Sequence, residues 1–588
     1  MVNLASLHGA GYRLVLREPR ENGDRNLEAD FFGPDGIAND VDAPLLLDLV
    51  ETGAGNHLRI NENVAEQIGR MILEMSPPDE RNRSVREVLR TSPVRTYERA
   101  MAAAPPVDPE TLERLGRLGE ALLVSYGFAP PPPVPTLMKD MPSAYTYLGQ
   151  FLAHEMTLWD PADASGPPQT VDLIDSAIDL KTIFKRPLGF PRNLPTHVQE
   201  EEGLPLNQTI VDSGPGFPGS GLDDLPRMDS GRALILDPRN DQNLTLSQTQ
   251  VAITRFAQAA ISILKPLVLT GEEVRRIVLR HFQSVVLQDY LVRLVDPKTY
   301  DDVMVNGRVW VAPSAGGGMP DPFYVSPEFS GAIFRFGHAM RRDNYSPWNT
   351  VNPNKTVMSA LASDLLDFSF DGGDLTNGQL LQTWTTDWRH MLGTEGVTSI
   401  KATSIGTAWK DALFCLPGYL FQPSVHDKPC NGAQSGRLNL ARRTLISGGL
   451  MGLPSGQVLA GDVQTALVNA GSPCQIPILS AAELDIPDNP AATAIMQEGP
   501  VGSRFVDHTP LWIYTLLEAA VKSDGDRLGP LGGRIVAETL SAAIEASGSG
   551  MIVNGVLQPF TPDPAFGGKS TDKFVYSDLV RLAFSGNP

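Results

Sequence analysis

The feature that most constrains this chain is the run from Met141 to Thr157, MPSAYTYLGQFLAHEMT, a mostly apolar stretch with an amide at Gln150 and an imidazole at His154. It reads as a helix. Residues four apart on a helix project from one face, so the Gln150 amide and the His154 ring can both point into one pocket. Two polar groups converging in an apolar wall are typical of a small-molecule site. The bland alternative is a hydrogen-bonded core histidine.

With 588 residues, the chain has room for one large irregular domain or two ordinary ones. Its 48 basic residues against 68 acidic ones leave a net charge of −20, which argues against nucleic acid or an anionic membrane as partner. No run approaches the roughly 18 to 20 consecutive apolar residues of a spanning helix. The start, MVNLASLH, lacks a cationic segment followed by an apolar one, which predicts a cytoplasmic protein or leaderless export. Cys415, Cys430 and Cys474 are too few and too scattered for a disulfide framework or a metal clip.

Along the chain, residues 1–135 form an N-terminal region expected to pack on the main domain, residues 136–588. Helical spacing is visible over Val64 to Met75 and over Pro109 to Tyr126, and the proline run 130–135 marks the boundary because proline holds the chain extended. A long polar passage follows over residues 159–230. Helices are then predicted over Ser247 to Leu264, Gly271 to Leu294, Pro327 to Met340, Thr356 to Leu366 and Pro510 to Ala520, with a short strand over Gly307 to Val311. The fold class is mainly α, a large irregular multi-helix body with long loops and few short strands. Asn243 or Thr245 is placed to cap the helix after DPRNDQN, and Ser326-Pro327-Glu328 opens the helix that carries His338.

Three phrases together resemble a known family. YLGQFLAHEMT is similar to the distal helix of the animal-type haem peroxidases, the myeloperoxidase and cyclooxygenase superfamily. DPRNDQNLTLSQ, residues 237–248, resembles the segment presenting that family's catalytic arginine, and FRFGHAM, residues 334–340, its proximal helix. GLPSGQ, TPLWIY and GPLGGRI follow in the family order and resemble its scaffold segments. The resemblance implies a mainly α haem peroxidase fold. It implies His154, Arg239 and Gln150 as catalytic residues, His338 as the axial ligand of haem iron, and Arg335 as the partner of a haem propionate. It further implies reduction of hydrogen peroxide through a ferryl intermediate, with oxidation of a small organic donor or halide.

Where the family forms ester links to haem this chain has Ala153 and Gln242, and where it forms a methionine link it has Asn243. The implied cofactor is therefore non-covalent haem b. At the family's calcium position stand Glu155 and Asp179, with Lys181 where an oxygen ligand belongs. This predicts a salt bridge in place of calcium. Counting back from Gly452 puts Thr444 where the family's asparagine meets the proximal histidine, with Asn439 close by. A haem fatty-acid dioxygenase is the first alternative, but that branch needs a tyrosine where this chain has Arg335. A non-catalytic haem-binding protein is the second. A helical domain with satisfied core histidines and no cofactor is the plainest.

Overall fold

In this computed structural model, residues 108–122, 136–157, 176–184, 224–227, 235–267, 269–312, 323–350, 357–367, 380–408, 439–486 and 489–585 are described, with a few single residues between them and the backbone of six short strands. The helical pattern over Val64 to Met75, the proline run and nearly all of the polar passage 159–230 lie outside the described residues.

Local signals start the helices where the sequence places them. Asp108 accepts from the Thr111 N–H at 2.9 Å and Pro109 opens α1, Pro109–Ala121. The predicted site helix is α2, Ala144–Met156. Asn243 caps α3, Leu244–Leu264, by accepting from the Leu246 N–H at 2.9 Å. A capping box of Thr270 and Glu273 opens α4, Gly271–Val285, which runs on through a π-turn at Val286–Tyr290 to Leu294. Then come α5, Leu440–Leu450; α6, Gly456–Asn469; α7, Pro490–Gln497; α8, Leu511–Ser523; α9, Pro530–Ala546; and α10, Tyr576–Ser585. These are the α-helices of eight or more residues among the described residues.

The strands are short. β1 Arg13–Arg17, β2 Leu27–Phe32, β3 Leu49–Glu51 and β4 Leu58–Ile60 make an antiparallel sheet in the order β1-β2-β4-β3, which the sequence did not announce. β5, Leu137–Pro142, pairs antiparallel with β6, Lys401–Thr403, and leads directly into α2.

Three expected elements take another form. Pro327 to Met340 breaks at Ala332, whose φ of −138° and ψ of −68° separate a short helix, Pro327–Gly331, from a 3-10 helix, Ile333–Met340. Thr356 to Leu366 pairs as strand first, with Val357 bridged to Asn349 and Ala360–Leu361 to Asn344–Tyr345, so only Ala362–Asp367 is helical. Gly307 to Val311 forms no strand. The N–H groups of Val309, Trp310 and Val311 instead donate to the buried Glu538 carboxylate of α9 at 3.0, 2.7 and 2.7 Å. A carboxylate far away in sequence replaces the ladder that a strand needs.

One apolar cluster runs from Leu115 of α1 through α2, α3 and α8 to Ala583 of α10, so α1 shares its core with the helices beyond residue 136. At Gly119 the crossing with α5 is so close that a Cβ would overlap the Arg442 backbone. The two phrases GLPSGQ and TPLWIY meet in space: Gln457 accepts from the Thr509 N–H at 2.9 Å, and Gly456 lies flat against Tyr514. No helix among the described residues is long and apolar enough to cross a membrane.

Candidate functional site

Two distant segments face each other across one cavity. One wall is α2 and its C-terminal cap, through Thr146, Tyr147, Gly149, Gln150, Ala153, His154 and Thr157; the other is the 3-10 helix, through Phe334, Arg335, Phe336, Gly337 and His338. Arg239, Gln242, Asn243, Tyr290, Arg341 and Leu440 close the sides around about 1110 Å³ of space, counted to its open mouth. Gly149 keeps the wall thin, since a Cβ there would come within 2.5 Å of the Tyr290 hydroxyl.

On the α2 side, the His154 ring is oriented by Asn240, with Nδ1 and Asn240 Oδ1 at 2.8 Å. An amide oxygen accepts only, so Nδ1 carries the proton and Nε2 keeps its lone pair. Burial and the Arg239 charge hold the ring's pKa down to about 4, so it is neutral at ordinary pH. Arg239 is buried. Its Nε donates to Asp237 Oδ1 at 2.9 Å and its Nη2 to the carbonyls of His154 and Thr157. The guanidinium is thereby locked beside the histidine, and Asp237 is held below the usual carboxylate range by it, against the upward push of burial. Gln150 Oε1 accepts from Asn243 Nδ2 at 3.2 Å.

On the opposite side, the 3-10 winding repeats every three residues, so Arg335 and His338 are in line on one face. Both are half-buried and line the cavity. Burial, then Arg335, Arg341 and last His154, push the His338 pKa down to about 3. Burial and the charges of Arg239 and Arg443 lower Arg335 to about 10. The Arg335 backbone is fixed from outside, its carbonyl accepting from the Trp512 indole at 3.4 Å.

Thr444 is not in the cavity wall, which takes Leu440 from that helix; its hydroxyl donates to the Leu440 carbonyl at 2.9 Å. Asn439 is spent on capping α5 and on the Gly119 carbonyl, so its amide is not at the site. Behind His154, the Lys181 ammonium sits among oxygens: the carboxylates of Glu155 at 3.6 Å and Asp179 at 3.0 Å, and the carbonyls of Glu155 and Ala177. Glu155 also accepts from the Lys181 N–H at 2.7 Å and the Thr182 hydroxyl at 2.5 Å. Burial pushes its carboxyl up and Lys181 pulls it back down. Among the other histidines, His281 is satisfied, its Nδ1 lying 2.7 Å from the Ile277 carbonyl and its Nε2 accepting from the Asp563 N–H.

The cavity wall mixes apolar and cationic side chains. Three guanidiniums line it, those of Arg239, Arg335 and Arg341, and Arg443 is close enough for its charge to act on Arg335. Gln242 Nε2 and Thr146 Oγ1 are buried in the wall with no partner among the described residues. A flat macrocycle with carboxylate arms fits this set, an imidazole being available on each face.

No protein-family model matches the sequence, and no curated protein is detectably similar. Among solved structures the chain is similar to peroxidase A from Dictyostelium discoideum, with a TM-score of 0.48 and 14% identity over 83% of this chain and 93% of that one. It is also similar to a fatty acid alpha-dioxygenase from Arabidopsis thaliana, with a TM-score of 0.45 and 12% identity over 82% of this chain and 76% of that one. At these scores the likeness is loose, and the chemistry of the site rests on its own residues. Sequence reasoning had missed Asn240, Asp237 and Tyr147. Asn240 and Asp237 flank Arg239, and only the folding of that turn onto α2 gives them a role.

Proposed function

We propose that this chain is a haem-dependent peroxidase that reduces hydrogen peroxide and oxidises a small organic donor or halide. The observation that carries the reading is the pair of neutral imidazoles, His154 and His338, on opposite walls of one arginine-lined cavity. His338 would hold the iron of haem b, and Arg335, in line with it, a carboxylate arm. Bound haem supplies an iron centre that can take peroxide in its open position and accept oxidising equivalents from it. Ala153 and Gln242 offer no carboxylate to the macrocycle and Asn243 no thioether, which supports a non-covalent cofactor.

The residues on the α2 side do the proton work. His154 Nε2, deprotonated because Asn240 holds the proton on Nδ1, takes a proton from peroxide and returns it to the leaving oxygen as the O–O bond breaks. Arg239, fixed by Asp237 and two carbonyls, sets a positive charge where negative charge develops, with no reorganisation at that moment. Gln150, held by Asn243, offers its amide hydrogens to a halide or to water in the cavity. Arg335 stands where the dioxygenase branch of the resembled family has its tyrosine, which favours the peroxidase reading. Glu155 and Asp179 are spent on Lys181, which leaves calcium no role in it.

Adding haemin to the purified protein tests the proposal. A Soret band that forms at one haem per chain, shifts on peroxide and is lost in His338→Ala supports it; acid–organic solvent should extract the pigment completely. A band unchanged by His338→Ala, or unmoved by peroxide, overturns it.

A further inference from the structure

One pair of side chains, of which one is in the wall, has no part in that scheme. Tyr147 lines the cavity, and its hydroxyl lies 2.6 Å from that of Tyr345, with ring centroids 6.1 Å apart. Both rings are at most 2% exposed. The hydrogens of the pair can be placed. Tyr345 Oη accepts from the Arg342 N–H at 3.1 Å, and among the described residues its own hydrogen has no acceptor but Tyr147 Oη. Leaving a buried hydroxyl hydrogen without an acceptor is unfavourable, so Tyr345 donates to Tyr147. The Tyr147 hydrogen then has no described residue to receive it, and the cavity is the space its residue borders.

We propose that Tyr147 and Tyr345 form a redox pair, in which an oxidising equivalent generated from hydrogen peroxide at the cavity comes to rest on Tyr345 as a neutral phenoxyl radical. It rests on the haem peroxidase reading of the site. The Tyr147 O–H bond breaks first, its electron and proton leaving together into the cavity for the one-electron oxidant that peroxide supplies there. A hydrogen atom then crosses the 2.6 Å bond: Tyr345 O–H breaks, Tyr147 O–H re-forms, and the radical moves to Tyr345. Neither step leaves a charge in the buried pair, as its surroundings require. The radical is better held on Tyr345, whose oxygen then accepts from two donors, Arg342 N–H and the re-formed Tyr147 O–H. On Tyr147 it would have one. It also goes no further by hydrogen-atom transfer. Trp348 lies edge-on to Tyr345 at 6.3 Å, but its indole N–H is engaged by the Trp384 carbonyl at 3.1 Å. One electron and one proton from a donor in the cavity reverse the two steps.

The test uses the full haem-loaded chain, frozen within a second of adding peroxide and measured by electron paramagnetic resonance. The expected result is an organic radical whose hyperfine structure collapses when the protein is grown on ring-deuterated tyrosine. Tyr345→Phe and Tyr147→Phe should each lower its yield at least about fivefold. The Soret band and its peroxide shift report the fold and the cofactor in every variant. A signal unchanged in Tyr345→Phe, a tryptophan-derived signal, or no organic radical in a protein whose Soret band does shift overturns the relay and leaves the peroxidase reading standing. A protein with no Soret band, or one whose band ignores peroxide, overturns both.

Discussion

Replacing Lys181 with methionine removes an ammonium from a pocket of oxygens and leaves a side chain of similar length behind. Glu155 is fully buried, and Lys181 is the cation in direct contact with it, at 3.6 Å. Breaking one side of a buried pair costs about 3–5 kcal/mol, because the remaining charge is neither solvated nor compensated. The three donors that stay on Glu155, two N–H groups and the Thr182 hydroxyl, place the expected loss at the lower end, about 3 kcal/mol at pH 7. The sign with pH follows from burial. Without the cation, the folded-state carboxyl pKa rises further above its unfolded value, so the folded variant binds a proton more readily than the unfolded chain. Its stability therefore increases as pH falls towards 4.5 and decreases as pH rises. Denaturant melts of the two proteins at pH 5, 6 and 7 measure this. Calcium added at millimolar concentration to Lys181→Ser should restore part of the loss, since the vacated oxygens are hard ligands. A deficit below about 1 kcal/mol at pH 7, or one that grows as the pH is lowered, refutes the account of the cage.

Asn240→Ala should lower the rate of peroxide reduction about 10²-fold or less with haem affinity unchanged, because it frees the His154 tautomer without removing the base; stopped-flow absorption after peroxide mixing checks it. Arg239→Lys loses the planar grip on Asp237 and should slow the same step more than it weakens haem binding, which a haemin titration separates from kinetics. Glu518, buried behind the start of α9, has its pKa raised by burial to about 7 despite the N–H groups of Leu531 and Gly532 at 2.9 and 3.0 Å. The folded chain binds that proton more tightly, so stability should fall by roughly 3 kcal/mol as pH rises from 4.5 to 7 and level off above it, and Glu518→Gln should flatten that slope in thermal melts.

The reach of the sequence can be judged residue by residue. Helix α2 and the cap of α3 were legible because a period of 3.6 and a capping asparagine are local signals. So was the placing of His154, Arg239, Arg335 and His338 on one cavity, though there the guide was family resemblance, since nothing in their spacing says that distant segments meet. The failures share one cause. Gly307 to Val311 looked like a strand, but what satisfies its N–H groups is Glu538, more than 220 residues later. Val357 to Leu361 looked helical, but Asn344–Tyr345 and Asn349 recruit it as strand. Tyr345, 198 residues after Tyr147, gave no sign of its partner. Each depends on a contact that no local window contains.

The tight winding of Ile333–Met340 bears on how this stretch can vary. At three residues per turn the guanidinium and the imidazole project along one line, roughly 6 Å apart; in an ordinary α-helix the same two positions would diverge by about 60°. A single-residue insertion or deletion between Arg335 and His338 would swing one of them about a third of the way round the axis. The segment can therefore exchange side chains while keeping its length, and anyone grafting it into a designed bundle has to carry over its pitch along with its letters.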